Sequence, residues 1–372
     1  MKFSCEKGLL ASAVNTASRA AAAKSAVQSL EGLLIEAGDS VKVTGYDLRT
    51  GITSTIPADV VESGSVVINS KLFGDIIRKL PDDVVTITVN DNYMAQIKCS
   101  MSEFSIMGMN AQDYPELPSV DYQNAISIKE KDIKAMISET NFAVSDNEAR
   151  PIHTGALFEL ENGILTVVAV DGYRLALRRE HIVKSELGEA SFVVPGTALG
   201  EVERIASTDE DKEVVITVGT KHIMFNIGSN MLISRRLEGE FLNYRNSIPT
   251  TGKYSIEADR RAVIDSIERV SLIISDKFKS PVRCRFGDGV LRVSTATTLG
   301  KAQDECIVSG DGEGLEIGFN NRYILDALKA APADSVRLQL STGVAPCVIV
   351  PTDQNRNFLY MILPVRLRAN EG

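Results

Sequence analysis

Residues that could catalyse a reaction or hold a metal ion are few in this chain. Its three histidines, His153, His181 and His222, form no HxH, HxxxH or HExxH spacing, so the common histidine motifs for zinc are missing from the sequence. No serine lies in a GxSxG nucleophile motif. A surface or core position is the simplest interpretation of each histidine, and we expect neither a metal ion nor a cofactor.

The GDGEG segment at residues 310–314 resembles part of a phosphate-binding loop, but no Gly-Lys-Ser or Gly-Lys-Thr follows it. Because a strand is predicted directly after it, we interpret the segment as a hairpin turn. The acidic residues 82–83 and 209–211 lie in predicted helix-to-strand loops, where carboxylates are commonly solvated. These features favour a binding or scaffolding role, with an enzyme site assembled from scattered residues as the alternative.

Cysteine usage and hydropathy indicate a compartment. The five cysteines include no CxxC pair, which argues against a redox or zinc motif and fits reducing conditions. No apolar stretch approaches the roughly 18 residues that a membrane span needs, and MKFSCEKGLL lacks the apolar core of a signal peptide. We expect a cytoplasmic protein whose cysteines are small core residues: Cys5, Cys99, Cys284, Cys306 and Cys347.

The elements that must position any site repeat three times along the chain. Each repeat opens with a short alternating strand followed by an apolar pattern of helical period, at residues 2–15, 125–138 and 253–266. A strand end that enters a second helix recurs at residues 67–80, 193–206 and 318–331. Each helix is followed by another alternating strand, at residues 84–89, 213–218 and 336–340. Between the two helices, Gly-Asp, Asn-Gly and Gly-Asp-Gly tips predict hairpins, because these residues accept a positive φ.

The chain has 372 residues, of which 44% are hydrophobic and 24% charged, as in an ordinary globular protein. The repeat divides it into three α+β domains, each with two helices and seven or eight strands, and proline-containing breaks lie near residues 114–123 and 245–253. We place the domains at residues 1–120, 121–250 and 251–372. The helices are predicted at residues 5–24, 69–80, 128–139, 196–206, 257–270 and 320–330.

The formal net charge of -9 would repel a polyanion at long range. Charge is nevertheless distributed unevenly, since the six predicted helical stretches carry +3 and the rest of the chain -12. If the helices share one face, that face is relatively basic. An ordinary solvated helix surface of mixed charge fits the same count.

Several segments together resemble the DNA polymerase III β subunit family, the bacterial sliding clamps. They are the opening MKFSCEKGLL, the threefold repeat, DGYRLAL at 171–177, FNNRYILDAL at 319–328 and LPVRL at 363–367. Their order and spacing carry the resemblance, which covers residues 1–368.

The resemblance implies three tandem DNA-clamp domains, in a head-to-tail homodimeric ring with helices lining the inside and antiparallel sheets outside. It implies a non-catalytic processivity factor that encircles double-stranded DNA without sequence preference. The replicative polymerase, the clamp loader and repair polymerases would dock through a short linear motif, with no membrane involved. A topological link fits the acidic composition, because it needs fewer fixed phosphate contacts than equilibrium binding does.

The candidate DNA-contacting residues fall into two sets. By resemblance, Lys24 matches a DNA-touching position after the first helix, and Asn147 with Arg150 matches a DNA-contacting loop of the second domain. Further candidates, chosen because they fall on predicted inner helices, are Lys71, Arg78, Arg204 and Arg269. A solvated surface charge is the alternative for each residue.

The resemblance also implies a hydrophobic cleft between the second and third domains that accepts the partner motif. Apolar side chains would form its walls, and glycine would let the backbone approach the ligand. Ordinary core packing is the alternative, especially for Leu175 and Val344. The matching positions are Val170, Gly172, Tyr173, Arg174, Leu175, Leu242, Asn246, Ser247, Asn320, Tyr323, Val344, Pro346, Met361, Leu363, Pro364, Val365 and Arg366.

Three cleft positions depart from the family pattern and predict a different peptide preference. Leu242, Asn246 and Tyr173 stand where a proline, a basic residue and a histidine are common. Residues 358–363 should form the last strand, ended by Pro364, with residues 365–367 turned toward residues 173–175.

Ring closure is expected between edge strands near residues 99–107 of one chain and 297–305 of another, because pairing satisfies exposed backbone groups. Apolar contacts there are Phe104, Ile273 and Ile274. Two alternatives stay open: a monomeric scaffold that uses the cleft without encircling DNA, and a hydrolase or nucleotide-binding enzyme with a scattered site.

Overall fold

The computed structural model describes residues 1–120, 124–250, 252–275, 280–353 and 357–367. Residues 121–123 and 251, which are parts of the two predicted breaks, lie outside these ranges, as does Arg368 of the C-terminal segment. The α-helices of the described chain are α1 Lys7–Ala17, α2 Ser70–Lys79, α3 Glu130–Ser138, α4 Gly196–Ile205, α5 Arg260–Ser271 and α6 Asn321–Ala330. Short 3-10 helices lie at Ser18–Ala20, Gln28–Glu31, Ala111–Asp113, Asn141–Ala143, Pro151–Thr154 and Tyr244–Ser247.

The strands follow the threefold repeat. The first repeat contains β1 Lys2–Glu6, β2 Gly32–Ala37, β3 Val41–Tyr46, β4 Thr50–Ile56, β5 Asp59–Glu62, β6 Gly64–Asn69, β7 Val84–Val89, β8 Met94–Cys99 and β9 Ser102–Met107. The second contains β10 Ala125–Lys129, β11 Gly155–Glu161, β12 Ile164–Val170, β13 Arg174–His181, β14 Lys184–Ser185, β15 Ala190–Pro195, β16 Glu213–Val218, β17 His222–Ile227 and β18 Asn230–Arg235. The third contains β19 Tyr254–Asp259, β20 Val282–Gly287, β21 Val290–Thr297, β22 Gly300–Gly310, β23 Glu316–Phe319, β24 Ser335–Leu340, β25 Cys347–Pro351 and β26 Phe358–Ile362.

The prediction of seven or eight strands per repeat is slightly low for the first two repeats. Each contains a separate short strand, β5 or β14, that pairs with the opening strand β1 or β10. In the third repeat the end of the long strand β22 takes this place, because Val308 to Gly310 pair with β19. The three repeats are therefore equivalent in pairing although they differ in strand number.

The described chain packs into two compact units. The first comprises residues 1–134, 182–187 and 197–236. It contains a five-stranded sheet in the order β5-β1-β7-β8-β9 and a nine-stranded sheet in the order β14-β10-β16-β17-β18-β4-β3-β2-β6. The antiparallel pair β18–β4, with Leu232 opposite Ile52, joins strands of the first and second repeats in one sheet.

The second unit comprises residues 135–181, 188–196 and 237–372. Its described strands form one twelve-stranded sheet in the order β15-β11-β12-β13-β26-β25-β24-β19-β22-β21-β20-β23. Strands of the second and third repeats meet at the antiparallel pair β13–β26, with Leu175 opposite Met361. No helix in the described ranges combines the length and the apolar character needed to cross a membrane.

Local sequence explains where the elements begin and turn. Side chains of Asn69, Asp259 and Asn320 accept hydrogen bonds from the first-turn amides of α2, α5 and α6, as N-cap residues do. The hairpin tip between β11 and β12 has positive φ at Asn162 and Gly163, as the Asn-Gly signal predicts.

The predicted hairpin at the Gly-Asp tip is confirmed by the pairing of β2 with β3. Its turn at residues 38–40 has no positive φ, however, and Gly38 donates its amide to the carbonyl of Ser40. One turn prediction was wrong. Residues 310–314 do not form a hairpin turn, because they connect β22 to β23, which are separated in the sheet by β21 and β20. The composition of residues 310–314 is typical of a turn, but it does not specify which strand comes next in the sheet.

In the first unit, α3 is fixed to the end of α4 by two charged side chains. Lys134 Nζ donates to the carbonyl oxygens of Glu203 at 2.5 Å and Ala206 at 2.8 Å. The buried Glu130 accepts a hydrogen bond from the amide of Ser207 at 2.7 Å. These contacts satisfy carbonyls that the last helical turn leaves without partners, and they place a cation at the negative end of α4.

Replacing Lys134 with methionine should lower the free energy of unfolding by about 1–3 kcal/mol, because two carbonyls lose a charged donor. Lys131→Met is the matched control. Its amine pairs with exposed Glu210 at 2.8 Å, so we expect a change below about 1 kcal/mol. Urea denaturation followed by far-ultraviolet circular dichroism measures both values, and equal losses in the two variants would contradict the bracing role of Lys134.

Candidate functional site

The predicted cleft residues lie in the second unit, on six neighbouring segments of its described chain. They occupy the end of β12, the turn before β13 with the first residues of β13, residues 242–247, the start of α6, the loop after β24, and the end of β26 with the residues after it. The long sheet brings the first and last of these segments together through the pairing of β13 with β26.

Buried apolar side chains form a base beneath these segments. Val170, Leu175 and Met361 belong to one apolar cluster with Val348 and Tyr244. The core interpretation is correct for Leu175, which is almost fully buried. It was wrong for Val344, which is 72% exposed because it follows β24 in a loop and has no opposing strand.

Arg174 is a buried cation in the wall of this site. Its Nε donates to Asp171 Oδ2 at 2.9 Å and its Nη1 to Asp326 Oδ2 at 2.6 Å. The guanidinium carbon lies 4.7 Å from the ring centre of Tyr323 and 5.4 Å from that of Phe142. Two carboxylates and two aromatic faces therefore compensate the burial of its charge.

Two tyrosines extend this arrangement to the surface. The rings of Tyr173 and Tyr323 are stacked with centres 5.8 Å apart and planes 22° from parallel, and Tyr173 is 60% exposed. Burial, reinforced by the negative charge of Asp171, raises the pKa of Tyr323. Tyr323 is therefore neutral near pH 7, so the stacked pair is an apolar surface with hydroxyl groups able to hydrogen-bond.

The turn before β13 depends on Gly172. Its φ of +90° lies in the left-handed region, which side chains other than glycine rarely adopt. Asp171 Oδ1 accepts hydrogen bonds from the amides of Tyr173 and Arg174 at 2.9 and 3.0 Å. Asp171 thus fixes both the turn and the guanidinium beside it.

The C-terminal segment differs in part from its prediction. The predicted strand at residues 358–363 is β26, which ends one residue earlier at Ile362, and the amide of Leu363 donates to the carbonyl of Tyr173 at 2.8 Å. Val365 instead turns to β23, where its amide donates to the carbonyl of Gly318 at 2.8 Å. A Cβ added at Gly318 would lie 2.6 Å from Leu367 Cδ2. The expectation that residues 365–367 turn toward residues 173–175 was therefore wrong, because their partner strand is β23.

Residues 242–247 form an exposed rim held by one buried tyrosine. Tyr244 Oη donates to Glu159 Oε2 at 2.6 Å, and burial together with Glu159 raises the pKa of Tyr244 to about 12. Leu242, Asn246 and Ser247 are exposed beside it, so their side chains are free to contact a ligand. Pro346, Pro364 and Asn320 are partly buried, whereas Leu363, Val365 and Arg366 are exposed.

Sequence reasoning missed several residues that hold the site. Asp171 and Asp326 neutralise Arg174, Phe142 packs on it, and Gly318 admits the C-terminal segment. Glycine directly before Phe319 and Asn320, residues of the FNNRYILDAL motif, was the available signal for Gly318. No local pattern indicates Phe142, which reaches the site only through the fold.

The candidate DNA-binding residues of the first unit are exposed cations. Lys71 and Arg78 line one groove that also contains Ser12 and Asn15 of α1, and Lys24 lies in the exposed loop beyond α1. Arg78 pairs with Asp75 at 3.2 Å. Arg204 pairs at 2.5 Å with Glu201, which also lies 3.5 Å from Arg19, a cation that the sequence analysis missed.

In the second unit, Asn147 and Arg150 lie on one exposed turn. Asn147 Oδ1 accepts a hydrogen bond from the amide of Ala149 at 3.0 Å, and its carbonyl accepts one from the amide of Arg150 at 3.2 Å. Arg269 is bound to Asp304 by two hydrogen bonds, and the bond from Arg269 holds the pKa of that carboxyl below its usual value. Its charge is therefore largely compensated.

The predicted interface strands each have an edge unpaired in the described chain. β9 is the last strand of the five-stranded sheet, with Phe104 and Met107 exposed. Residues 300–307 of β22 pair with β21 alone, and Ile307 is 82% exposed. Ile273 and Ile274 are partly buried, whereas Leu272, which the sequence analysis missed, is 84% exposed.

Three family models match the chain in order. The models of the DNA polymerase III beta subunit match residues 1–118 with the N-terminal domain, 127–243 with the central domain and 245–366 with the C-terminal domain. Together they account for most of the sequence.

Known proteins are similar over nearly the whole chain. The beta sliding clamp of Halalkalibacterium halodurans is 32% identical over 381 residues, which cover 98% of this chain and 100% of the relative. The DNA polymerase sliding clamp structure from Bacillus subtilis has a TM-score of 0.93 at 30% identity, covering 99% of this chain and 100% of that one. The Pseudomonas aeruginosa sliding clamp bound to griselimycin has a TM-score of 0.93 at 25% identity, with 99% and 100% covered.

Replacing Arg174 with methionine should lower the free energy of unfolding by about 3 kcal/mol, because Asp171 and Asp326 would lose the buried cation that pairs with both of them. Arg322→Met is the matched control, since Arg322 faces the same Asp326 at 3.8 Å but is exposed. We expect a change of about 0.5 kcal/mol or less there. Urea denaturation measures both, and a loss at Arg174 no larger than at Arg322 would exclude this role.

Proposed function

Because the chain belongs to the DNA polymerase III beta subunit family of sliding clamps, whose members are non-catalytic processivity subunits, we propose that two copies close a ring around double-stranded DNA. The observation that carries this proposal is the match of all three clamp domain models, in order, along one chain. The enzyme alternative is wrong for a member of this family. Because the proposed function is replication of chromosomal DNA, we also propose that the protein is cytoplasmic.

The acidic net charge of -9 supports a topological link to DNA. Binding through many fixed phosphate contacts would require strong positive charge and would resist sliding. In the proposed ring, a few exposed cations face the duplex and centre it without reading sequence. The proposed contacts are the cations Lys24, Lys71, Arg78, Arg150, Arg204 and Arg269, together with the neutral Asn147.

Strand equivalence between repeats supports closure through β9 and β22. The last strand of the second repeat, β18, pairs with β4 of the first, and the last strand of the third, β26, pairs with β13 of the second. The strands β4, β13 and β22 occupy the same position in their repeats, because each is the third strand after the first helix. In the described chain, β9 is therefore the one last strand without a third strand to pair with. Residues 300–307 of β22 are the one third-strand edge without a last strand beside it.

In the proposed dimer, β9 of one chain therefore pairs with residues 300–307 of β22 in another. Phe104, Ile273 and Ile274 would contact the partner, together with the exposed Leu272 and Ile307. Pairing would cover two exposed strand edges, which otherwise promote aggregation. A monomeric scaffold leaves both edges bare, and this disfavours that alternative.

The proposed partner site is the cleft formed around Tyr173, Tyr323 and the residues after β26. It combines buried apolar residues, an exposed tyrosine pair and adjacent polar groups, which is the usual composition of a peptide-binding cleft. The relation to a clamp that binds griselimycin also supports ligand binding by this protein. We propose that the replicative polymerase, the clamp loader and repair polymerases insert a short linear motif here. Leu242, Asn246 and Tyr173 would set its preferred sequence.

Loading the protein on nicked circular DNA and then linearising the circle tests encirclement. The loaded protein should co-elute with the circle in gel filtration and should dissociate after linearisation, because a ring slides off a free end. Its mass in solution should be that of a dimer. Protein that stays bound after linearisation, or a monomeric mass, would contradict the proposed ring.

Replacing Gly318 with alanine should weaken binding of the cleft peptide about ten-fold or more. The added Cβ would lie 2.6 Å from Leu367 Cδ2 and 2.7 Å from the carbonyl oxygen of Val365, displacing the segment that forms one wall. Fluorescence anisotropy with the labelled clamp-binding peptide of the organism's own replicative polymerase measures the dissociation constant.

Gly287→Ala on β20 is the matched control, because a Cβ there has no atom within 4 Å. It should bind the peptide like the unaltered protein.

Removing residues 363–367 should abolish peptide binding while keeping the dimer. Unchanged binding by Gly318→Ala and by the shortened protein would refute this position of the cleft.

A further inference from the structure

A hollow of about 400 Å³ lies on the polar face of strands β20 to β23 in the second unit. We call it the basic hollow, because four cations and one carboxylate line it, in a chain whose formal net charge is -9. The charged lining residues are Arg283, Arg285, Arg292, Lys301 and Glu316.

Strand register places these side chains on one face. Arg283 lies opposite Ser294 and Arg285 opposite Arg292, and directly opposed residues of antiparallel strands point to the same side. The alternate residues Cys284 and Val293 are buried on the other side. The cations therefore project together from the solvent side of the sheet.

Carboxylates offset only part of this charge. Arg283 pairs with Glu316, and Arg292 lies 3.5 Å from both Glu305 and Asp288. Arg285 is exposed and has no ion pair within the described ranges. A guanidinium held by the sheet in this way is suited to a carboxylate, which it can bind through two parallel hydrogen bonds.

The basic hollow continues directly from the proposed cleft. Leu367 lines the hollow, and it follows Leu363 and Val365 of the cleft wall along the chain. Gly318, which accepts the hydrogen bond from Val365, lies opposite Arg283 in the β20–β23 pair. A peptide that leaves the cleft along residues 363–367 would meet the four cations within a few residues.

We propose that the basic hollow binds acidic residues that flank the docking motif of a partner protein. This inference rests on the proposed function of the cleft. A short peptide flank fits better than a nucleic acid, because Glu305, Glu316 and Asp288 interrupt the positive charge and would repel a continuous phosphate backbone. Individual carboxylates can instead align with Arg285 and Arg292, and long-range attraction would raise the rate of docking.

The test compares extended versions of the polymerase peptide used above. Four glutamates, or four glutamines as the control, are added at either end, and dissociation constants are measured by fluorescence anisotropy. In about 50 mM salt one glutamate version should bind about five-fold tighter than its glutamine counterpart. This advantage should disappear near 1 M salt, where the screening length falls to about 3 Å.

The variant Arg285→Gln/Arg292→Gln should lose the glutamate advantage and should bind the glutamine versions like the unaltered protein. Arg337→Gln is the matched control, because the Arg337 side chain is about as exposed as that of Arg292 and pairs with Glu257, outside the hollow. It should keep the advantage. An equal glutamate advantage in the double variant, or none in the unaltered protein, would overturn the proposal.

A separate probe distinguishes failure of the hollow from failure of the cleft. If no polymerase peptide binds, the cleft proposal fails, and fluorescein-labelled hexaglutamate then tests the hollow alone. Binding that the double variant loses supports the hollow, whereas absent or unchanged binding excludes it. A labelled six-nucleotide oligothymidylate that binds more tightly than hexaglutamate, and is lost in the double variant, would assign the hollow to nucleic acid instead.

Discussion

The antiparallel pairing of β13 with β26 is the interaction on which the candidate site depends. It joins the second and third repeats in one sheet and places Arg174 opposite Ile362 and Leu175 opposite Met361. The hydrogen bond from Leu363 to Tyr173 extends this pairing one residue further. Without this pairing, the turn at Gly172 and the C-terminal segment would not be held next to each other.

Around this pair, the structure combines a buried charge with exposed apolar surface. Arg174 is compensated by Asp171 and Asp326, so that its guanidinium supports the aromatic rings instead of attracting solvent. The tyrosine pair can then remain exposed without collapsing on the buried base beneath it. The hydrogen bonds of Arg174 and the stacking of the tyrosines order these side chains without a ligand, and such preorganisation reduces the ordering cost when a ligand binds.

The sequence predicted regular elements well where alternation or helical period was strong. The strands at residues 84–89 and 213–218 match the structure at both ends, because period-two patterns indicate which face is buried. The first helix is shorter than predicted, since the chain continues from α1 as a 3-10 helix at Ser18–Ala20. The resemblance supplied most residues of the candidate cleft, since it relates positions that are distant along the chain.

Long-range partners could not be predicted from local pattern. An arginine in a strand suggests a solvent-facing residue, but Arg174 is buried because Asp326 of α6, distant along the chain, pairs with it beside the local Asp171. An apolar residue such as Val344 suggests a core position, but it lies in a loop with no strand to cover it. For the same reason the pairing of Val365 with Gly318, and not with the second repeat, became clear only from the fold.

The shared sheets mean that a repeat is not a self-contained piece of the protein. A chain cut after its second repeat would lose β26 and expose β13, while β9 would remain an unused last strand. Such a fragment would still carry one unpaired last strand, β9, and one unpaired third strand, β13. In the proposed ring of two chains, three such two-repeat fragments would supply the same six repeats as two whole chains.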